Sequence, residues 1–263
     1  DKLIHLFDKN TFEHLASSTY QGQGPDEITI IGHVGIDETN RRFFVSDHGK
    51  LKIFAYDLDS VLTTPEYQPS VKIDMKKKLF PDDYLYLNDT LCIAKIIEPI
   101  GNNDYKPSVA RWNMATGEIN PMPYEYPDLK KVRFIYAASA EHQLYVQCYT
   151  QYDLMTICDF NGNLKCNIYG PKWVNEKTQT QHYSLGVEFC GDKILALYSG
   201  GDHRTDAYYP TKFLVFDLNG NYLKTLETGY MITDFCYDKE NNRLIINLND
   251  EIQFTYLDLE GII

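Results

Sequence analysis

The densest chemistry in this 263-residue chain lies in Gly200-Gly201-Asp202-His203-Arg204-Thr205-Asp206. A carboxylate, an imidazole and a guanidinium side by side can hold an anion or move a proton near neutral pH. Adjacent residues converge on one point only where a loop folds sharply, so a solvated loop is the competing reading. Asp47-His48, at the end of an apolar run, offers similar groups and the same two readings. Large aromatic residues crowd the segments that read as loops, among them Tyr20, Tyr124 and Tyr183. Rings with polar tips bury much area at low entropic cost, which suits contact with a glycan, a peptide or a protein. Their other use is to pack over strand ends. The candidate ligand-binding residues are Tyr105, Tyr126, Trp173, His182, Asp202, His203, Arg204, Tyr208 and Tyr209.

Signatures of catalysis are missing from the sequence. There is no H-E-x-x-H, no G-x-S-x-G and no EF-hand loop, and no Gly-Lys-Ser/Thr follows the glycines at 22 and 24. No catalytic residue and no cofactor is assigned. Asp37, Glu188 and Asp234 fall on strands that read as innermost, so they are the candidates for a divalent metal, although their offsets differ. The six cysteines stand singly in apolar runs without a C-x-x-C pair, so they read as buried thiols rather than a zinc site.

Positioning these groups falls to a repeat. An apolar strand, an Asp or Asn, and a turn recur at Asp8, Asp57, Asn113, Asp159, Asp217 and Asp258, spaced 41–58 residues apart. Asp and Asn accept backbone N–H bonds two residues on, which is the chemistry of a corner. A second apolar run precedes five corners, as in Arg42–Asp47 and Leu144–Tyr149, and a third set of short strands precedes those. Two of the turns share D-x-x-N-x-R, at Asp37 and at Asp238. No window sustains the spacing of a long amphipathic helix. About four strands per unit of this length describes a propeller blade. The expected fold is all-β, a six-bladed β-propeller of four-stranded antiparallel blades forming one domain over residues 1–263. Because residues 1–17 supply only two strands, five complete blades plus a partial one is the alternative.

Gly35-Ile36-Asp37, Phe43-Phe44-Val45-Ser46-Asp47 and Leu51-Lys52-Ile53-Phe54-Ala55-Tyr56-Asp57 together resemble an NHL-type blade. Gly22-Gln23-Gly24-Pro25-Asp26-Glu27 is similar to the connector of TolB-like six-bladed propellers of Bacteroides-type envelope proteins and lipoproteins. The resemblance implies a place outside the inner membrane, in periplasm or envelope, and leaves room for a lipid anchor upstream of Asp1.

Composition narrows the partners. Hydrophobic residues make up 43% and charged residues 24%, the usage of a globular chain. Aromatic residues reach 14%, with 21 Tyr and 13 Phe, which favours strands. A net charge of −12 gives no counterion-release energy on a phosphate backbone, which argues against nucleic acid. No apolar run approaches the ~18 residues of a membrane span. Segments 98–108, 199–211, 18–31, 121–131 and 169–182 read as long loops on one face. Loops of that length usually persist for a use. The leading function is a non-catalytic binding or scaffold propeller whose long-loop face contacts a glycan, a peptide or a protein. The competing one is a lactonase- or lyase-type enzyme with a divalent metal in the channel.

Overall fold

The apolar runs become strands and the Asp/Asn corners turn them back on themselves. The computed structural model describes residues 2–76, 78–101, 104–127 and 129–263, in two compact units. Unit 1 spans Asp1–Pro121. Here β1 (Lys2–Phe7) and β2 (His14–Tyr20) pair with each other. A meander follows: β3 (Ile31–Asp37), β4 (Arg42–Asp47), β5 (Lys52–Asp57), the short helix α1 (Leu58–Thr63) and β6 (Ser70–Asp74). The next comprises β7 (Phe80–Asn88), β8 (Leu91–Gly101), β9 (Asp104–Asn113) and β10 (Glu118–Pro121).

Unit 2 spans Met122–Ile263. Its first sheet is β11 (Phe134–Ser139), β12 (Leu144–Tyr149), β13 (Leu154–Asp159) and β14 (Leu164–Tyr169). Its second is β15 (Thr180–Cys190), β16 (Lys193–Asp202), β17 (Lys212–Asp217) and β18 (Tyr222–Glu227). Its third has three strands, β19 (Ile232–Asp238), β20 (Arg243–Leu248) and β21 (Phe254–Asp258). Among the described residues, four sheets therefore have four strands, one has three and one has two. The two-stranded sheet is the shortfall that residues 1–17 imply; the three-stranded one is a second.

First strands lie beside first strands: β3 by β7 in unit 1, and β11 by β15 and β15 by β19 in unit 2. The cores fill the space between neighbouring sheets. Phe44 and Ile53 meet Cys92, Ala110 and Trp112 in unit 1, while Val146, Cys148 and Ile157 meet Tyr183, Val187 and Ile194 in unit 2. Middle strands are consequently the most buried. Every residue of β12 is buried, whereas no residue of β14 is. Each fully buried large apolar side chain contributes about 1.5–3 kcal/mol.

All six corners are held by their Asp or Asn. Asp8 accepts the N–H groups of Asn10 and Thr11, and Asn113 those of Ala115 and Thr116. Asp159 accepts from Asn161 and Asn163, Asp217 from Asn219 and Asn221, and Asp258 from Glu260. Asp57 caps α1 through the Ser60 N–H. The shared D-x-x-N-x-R turns are also alike: the Asn40 amide donates to Asp37, and the Asn241 amide and Arg243 donate to Asp238.

Segment 98–108 is not a loop. β8 runs on to Gly101 and β9 begins at Asp104, with Glu98 opposite Lys106 and Pro99 opposite Tyr105. Pro99 and Pro107 both lie within these strands, since a proline is tolerated wherever its missing N–H faces no partner. Likewise β16 carries strand structure through Gly200 and Gly201 to Asp202.

One buried carboxylate ties the connector of unit 1 to a hairpin. Asp47 is fully buried at the end of β4 and accepts four backbone N–H groups, from Thr29, Ile30, Gly49 and Lys50. Burial alone would raise its pKa; the four donors outweigh it and hold the carboxyl below the usual range. Asp47 in the Asp47-His48 pair is thus committed to structure.

Candidate functional site

The site is built on a buried acid that the sequence reading passed over. Between β12 and β13 the chain turns through residues 150–153 and buries Asp153 at 1% exposure. Its Oδ2 accepts the Lys172 N–H at 2.9 Å, and its Oδ1 accepts the Tyr198 hydroxyl at 3.3 Å. His182, also 1% exposed, places Nδ1 3.2 Å from the Tyr198 oxygen and 3.7 Å from Asp153 Oδ1. Thr178 Oγ1 lies 3.4 Å from His182 Nε2. A β-carbon on Gly170 would sit 2.2 Å from the Asp153 carboxyl, so only glycine lets the loop close over the acid.

These environments favour the neutral forms of the ring and the phenol. Burial pushes the His182 pKa down; the Asp153 charge opposes this and the Lys172 charge adds to it. Burial also pushes the Tyr198 phenol up, with the Asp153 charge acting the same way. At neutral pH Tyr198 therefore keeps its proton to donate to Asp153. The network is a rigid, closed base rather than an exposed acid–base pair.

The loop that seals this base carries the aromatic surface. In the turn from Gly170 to Trp173, Lys172 supplies its N–H to Asp153 and the Trp173 N–H returns to the Gly170 carbonyl. Trp173 is thereby set edge-to-face on Tyr169 at 5.1 Å and on Tyr126 at 5.9 Å, with Tyr152 at 6.3 Å beneath. The Tyr126 and Tyr169 hydroxyls are 3.3 Å apart. Tyr152 is buried and donates to the Lys130 carbonyl, whereas Tyr169 is 50% exposed. Trp173 and Tyr126 are half-buried. The cluster offers ring edges and faces over a floor that cannot yield.

Of the residues the sequence singled out, Tyr126, Trp173 and His182 are brought together through this loop. Asp202 and His203 stand at the open end of the β15–β16 hairpin, where Thr180 pairs with Asp202. There Arg204 grips Asp202 with two guanidinium bonds of 3.2 and 3.1 Å plus its own N–H, and this holds the Asp202 carboxyl down at about 2. His203 Nδ1 lies 2.9 Å from the Gln179 carbonyl oxygen, which also accepts the His203 N–H. Asp202 and Arg204 satisfy each other and His203 turns to the Gln179 backbone, as in a solvated loop. Tyr208 and Tyr209 pack ring on ring at 4.9 Å around a single 3-10 turn, Asp206–Tyr208. Tyr105 lies in unit 1 on β9, a strand rather than a loop.

The metal candidates fall in different places. Asp37, in unit 1, gives both carboxylate oxygens to Asn40. Glu188 and Asp234 lie in unit 2, where their charges act on the Cys236 thiol; Cys236 is exposed and Cys166 half-buried, so these two cysteines are not the buried thiols expected. Among the described residues no three His, Cys, Asp or Glu side chains converge as a metal would need. Asp153, Tyr198, Tyr152 and Tyr169 stand outside the candidates that the sequence gives. The run Tyr149-Thr150-Gln151-Tyr152-Asp153, too short for a free loop and too polar for a strand, is the signal that could have found them.

Comparison with known proteins fixes the architecture. Residues 4–90 match the DUF5128 family, described as a 6-bladed beta-propeller. A member of the DUF4221 family from Bacteroides vulgatus has a similar structure, with a TM-score of 0.64 at 12% identity over 97% of this chain and 86% of that one. The extracellular domain of a Bacteroides thetaiotaomicron protein named as a one component system gives 0.59 at 10% identity. That match spans 97% of this chain but 31% of the other. A chain of a nidogen/laminin complex gives 0.58 at 12% identity, covering 96% and 82% of the two chains. No curated protein matches the chain. No helix among the described residues is long and apolar enough to cross a membrane. The chain has the fold of an all-β propeller with four-stranded antiparallel blades, five sheets of three or four strands beside one partial blade, and it is similar over its first third to a six-bladed family.

Proposed function

We propose that the chain is one non-catalytic binding propeller, working outside the inner membrane, and that the cluster around Trp173 docks a protein or peptide partner. The observation that carries this reading is the pairing of a half-buried Trp173, flanked by Tyr126 and Tyr169, with the sealed Asp153–Tyr198–His182 base beneath it. Trp and Tyr dominate the energetics of protein interfaces, and rings already fixed in place lose little entropy on binding. The likeness to an extracellular domain and to a chain of a nidogen/laminin complex supports the compartment and the type of partner. A lipid anchor upstream of Asp1 fits the same reading.

The test uses the protein's own fluorescence. Trp112 is buried at 2% exposure, so Trp173 is the accessible one of the chain's two tryptophans. Peptides selected on the folded protein from a random library should shift its emission. Trp173→Ala should weaken them about 30-fold by calorimetric titration, the ~2 kcal/mol of an interface hot spot. Peptides that bind the variant as tightly as the native protein would refute the reading.

A further inference from the structure

Unit 1 holds a cleft in which the Trp173 cluster has no part. It has a volume of about 480 Å3 and is walled by β2, by the connector from Gly24 to Glu27, and by α1 with the segment running on to Gln68. The size is that of a small-ligand site. The connector that links the first two sheets in sequence also supplies one wall.

The lining specifies a chemistry. Asp26 is half-buried in that wall and makes no hydrogen bond or ion pair among the described residues, so its carboxylate oxygens are open acceptors. Tyr20 shows 45% of its surface, and the ring of Tyr67 lies on the opposite wall. The Tyr67 oxygen accepts the Asp57 N–H, which leaves the phenolic proton to donate. Thr64 and Gln68 also line the cleft, while the Ser17 hydroxyl is bonded to His5 and His14 and the Thr63 hydroxyl donates to the Asp59 carbonyl.

Charge removes two classes of ligand. The position over the Tyr20 ring, where a cationic ligand would sit, is taken by Lys2, whose Nζ lies 5.4 Å from the ring centroid and 3.5 Å from Glu66. An anion would face Asp26, Glu27 and Glu66 against the single cation Lys2, which Glu66 already engages. What remains is a neutral molecule with many hydroxyls and a flat apolar face. The backbone is also set at some cost. Buried Thr19 is β-branched yet has φ of 59°, held by its 2.7 Å bond to the Tyr56 hydroxyl, and Glu66 has φ of 58°. Strain of this kind collects where a surface is shaped for a ligand.

We propose that this cleft binds a neutral saccharide, with Asp26 accepting from its hydroxyls, Tyr67 donating to them, and the part of Tyr20 that Lys2 leaves exposed packing against its ring. The site is separate from the Trp173 cluster, and either can fail without the other. The test is calorimetric titration of the full chain with neutral gluco-, manno-, galacto- and xylo-oligosaccharides. At least one series should bind. Asp26→Asn, which keeps shape and removes charge, should weaken it tenfold or more, and Tyr20→Ala should do the same. Lys239→Ala, which breaks an exposed ion pair of unit 2 outside both sites, should leave it unchanged, and thermal melts should show all three variants folded. Three results overturn the proposal: no series binds, binding survives both Asp26→Asn and Tyr20→Ala, or Lys239→Ala abolishes it.

Discussion

Asp153 shows how far a single buried charge can organise its surroundings. It collects a backbone N–H, a phenol and the neighbourhood of an imidazole, and the loop that satisfies it is the loop that displays Trp173. His182 should make this visible in a pH series. Its folded pKa lies below the ordinary 6.5, because burial disfavours the imidazolium. The unfolded chain therefore takes up the proton first. Stability from this group is full above about pH 6.5 and is lost as the pH falls towards the folded pKa. Chemical denaturation at about pH 7.5 and about pH 5.5 should show the native protein losing more stability than His182→Asn; equal losses would remove His182 as the cause. At this scale the sequence was only partly legible. His182 and Trp173 stood out by type, but Asp153 is defined by the Lys172 N–H reaching it from 19 positions on, which no local pattern displays.

Corners and strands were far more legible, because their causes are local. The Asp-x-Asn-Gly corners at Asp159 and Asp217 can be read directly, since a short acceptor and a residue free to take positive φ sit within four positions of each other. Gly220 has φ of 84°, and a β-carbon there would lie 2.8 Å from Cys166 Sγ. Gly191 has φ of 59° and open space around it. Gly191→Ala should therefore cost only the conformational ~1–2 kcal/mol. Gly220→Ala should cost about 1 kcal/mol or more beyond that, from crowding. Thermal melts of the two variants compare them, and equal losses would show that crowding at Gly220 is relieved. The elements differ from expectation at 98–108 and at 199–202, where strands run on through Pro99 and through Gly200 and Gly201. The β8–β9 hairpin keeps Pro99 opposite Tyr105, a pairing that composition alone reads as a loop.

Across the whole molecule the signals are the repeat and the charge. The six corners announced a propeller, and the sheets of two, four, four, four, four and three strands carry it out. What was not legible is the short last sheet, whose third strand leaves Phe254 and Tyr256 more than half exposed. The surplus of 12 negative charges is spread through turns and loops where Asn, Arg and backbone groups already engage many of the acids. Chelation should accordingly leave the protein as it was: a melt in EDTA should match one with added calcium or zinc. A metal-dependent rise in Tm, abolished by Glu188→Gln or Asp234→Asn, would instead promote the metal-dependent enzyme reading.

Asp47 bears on how such a shape survives sequence drift. Its four partners are backbone N–H groups, and every residue type except proline carries one. Thr29 and Ile30 can therefore be replaced many times over without loosening the bond, while the carboxylate they point at cannot. The six corner residues also accept main-chain N–H groups, with Asn163 and Asn221 adding side-chain bonds at Asp159 and Asp217. A fold written in side chains that address the main chain needs few fixed letters, and this is how propellers sharing 10–12% of their residues with this chain can keep its architecture.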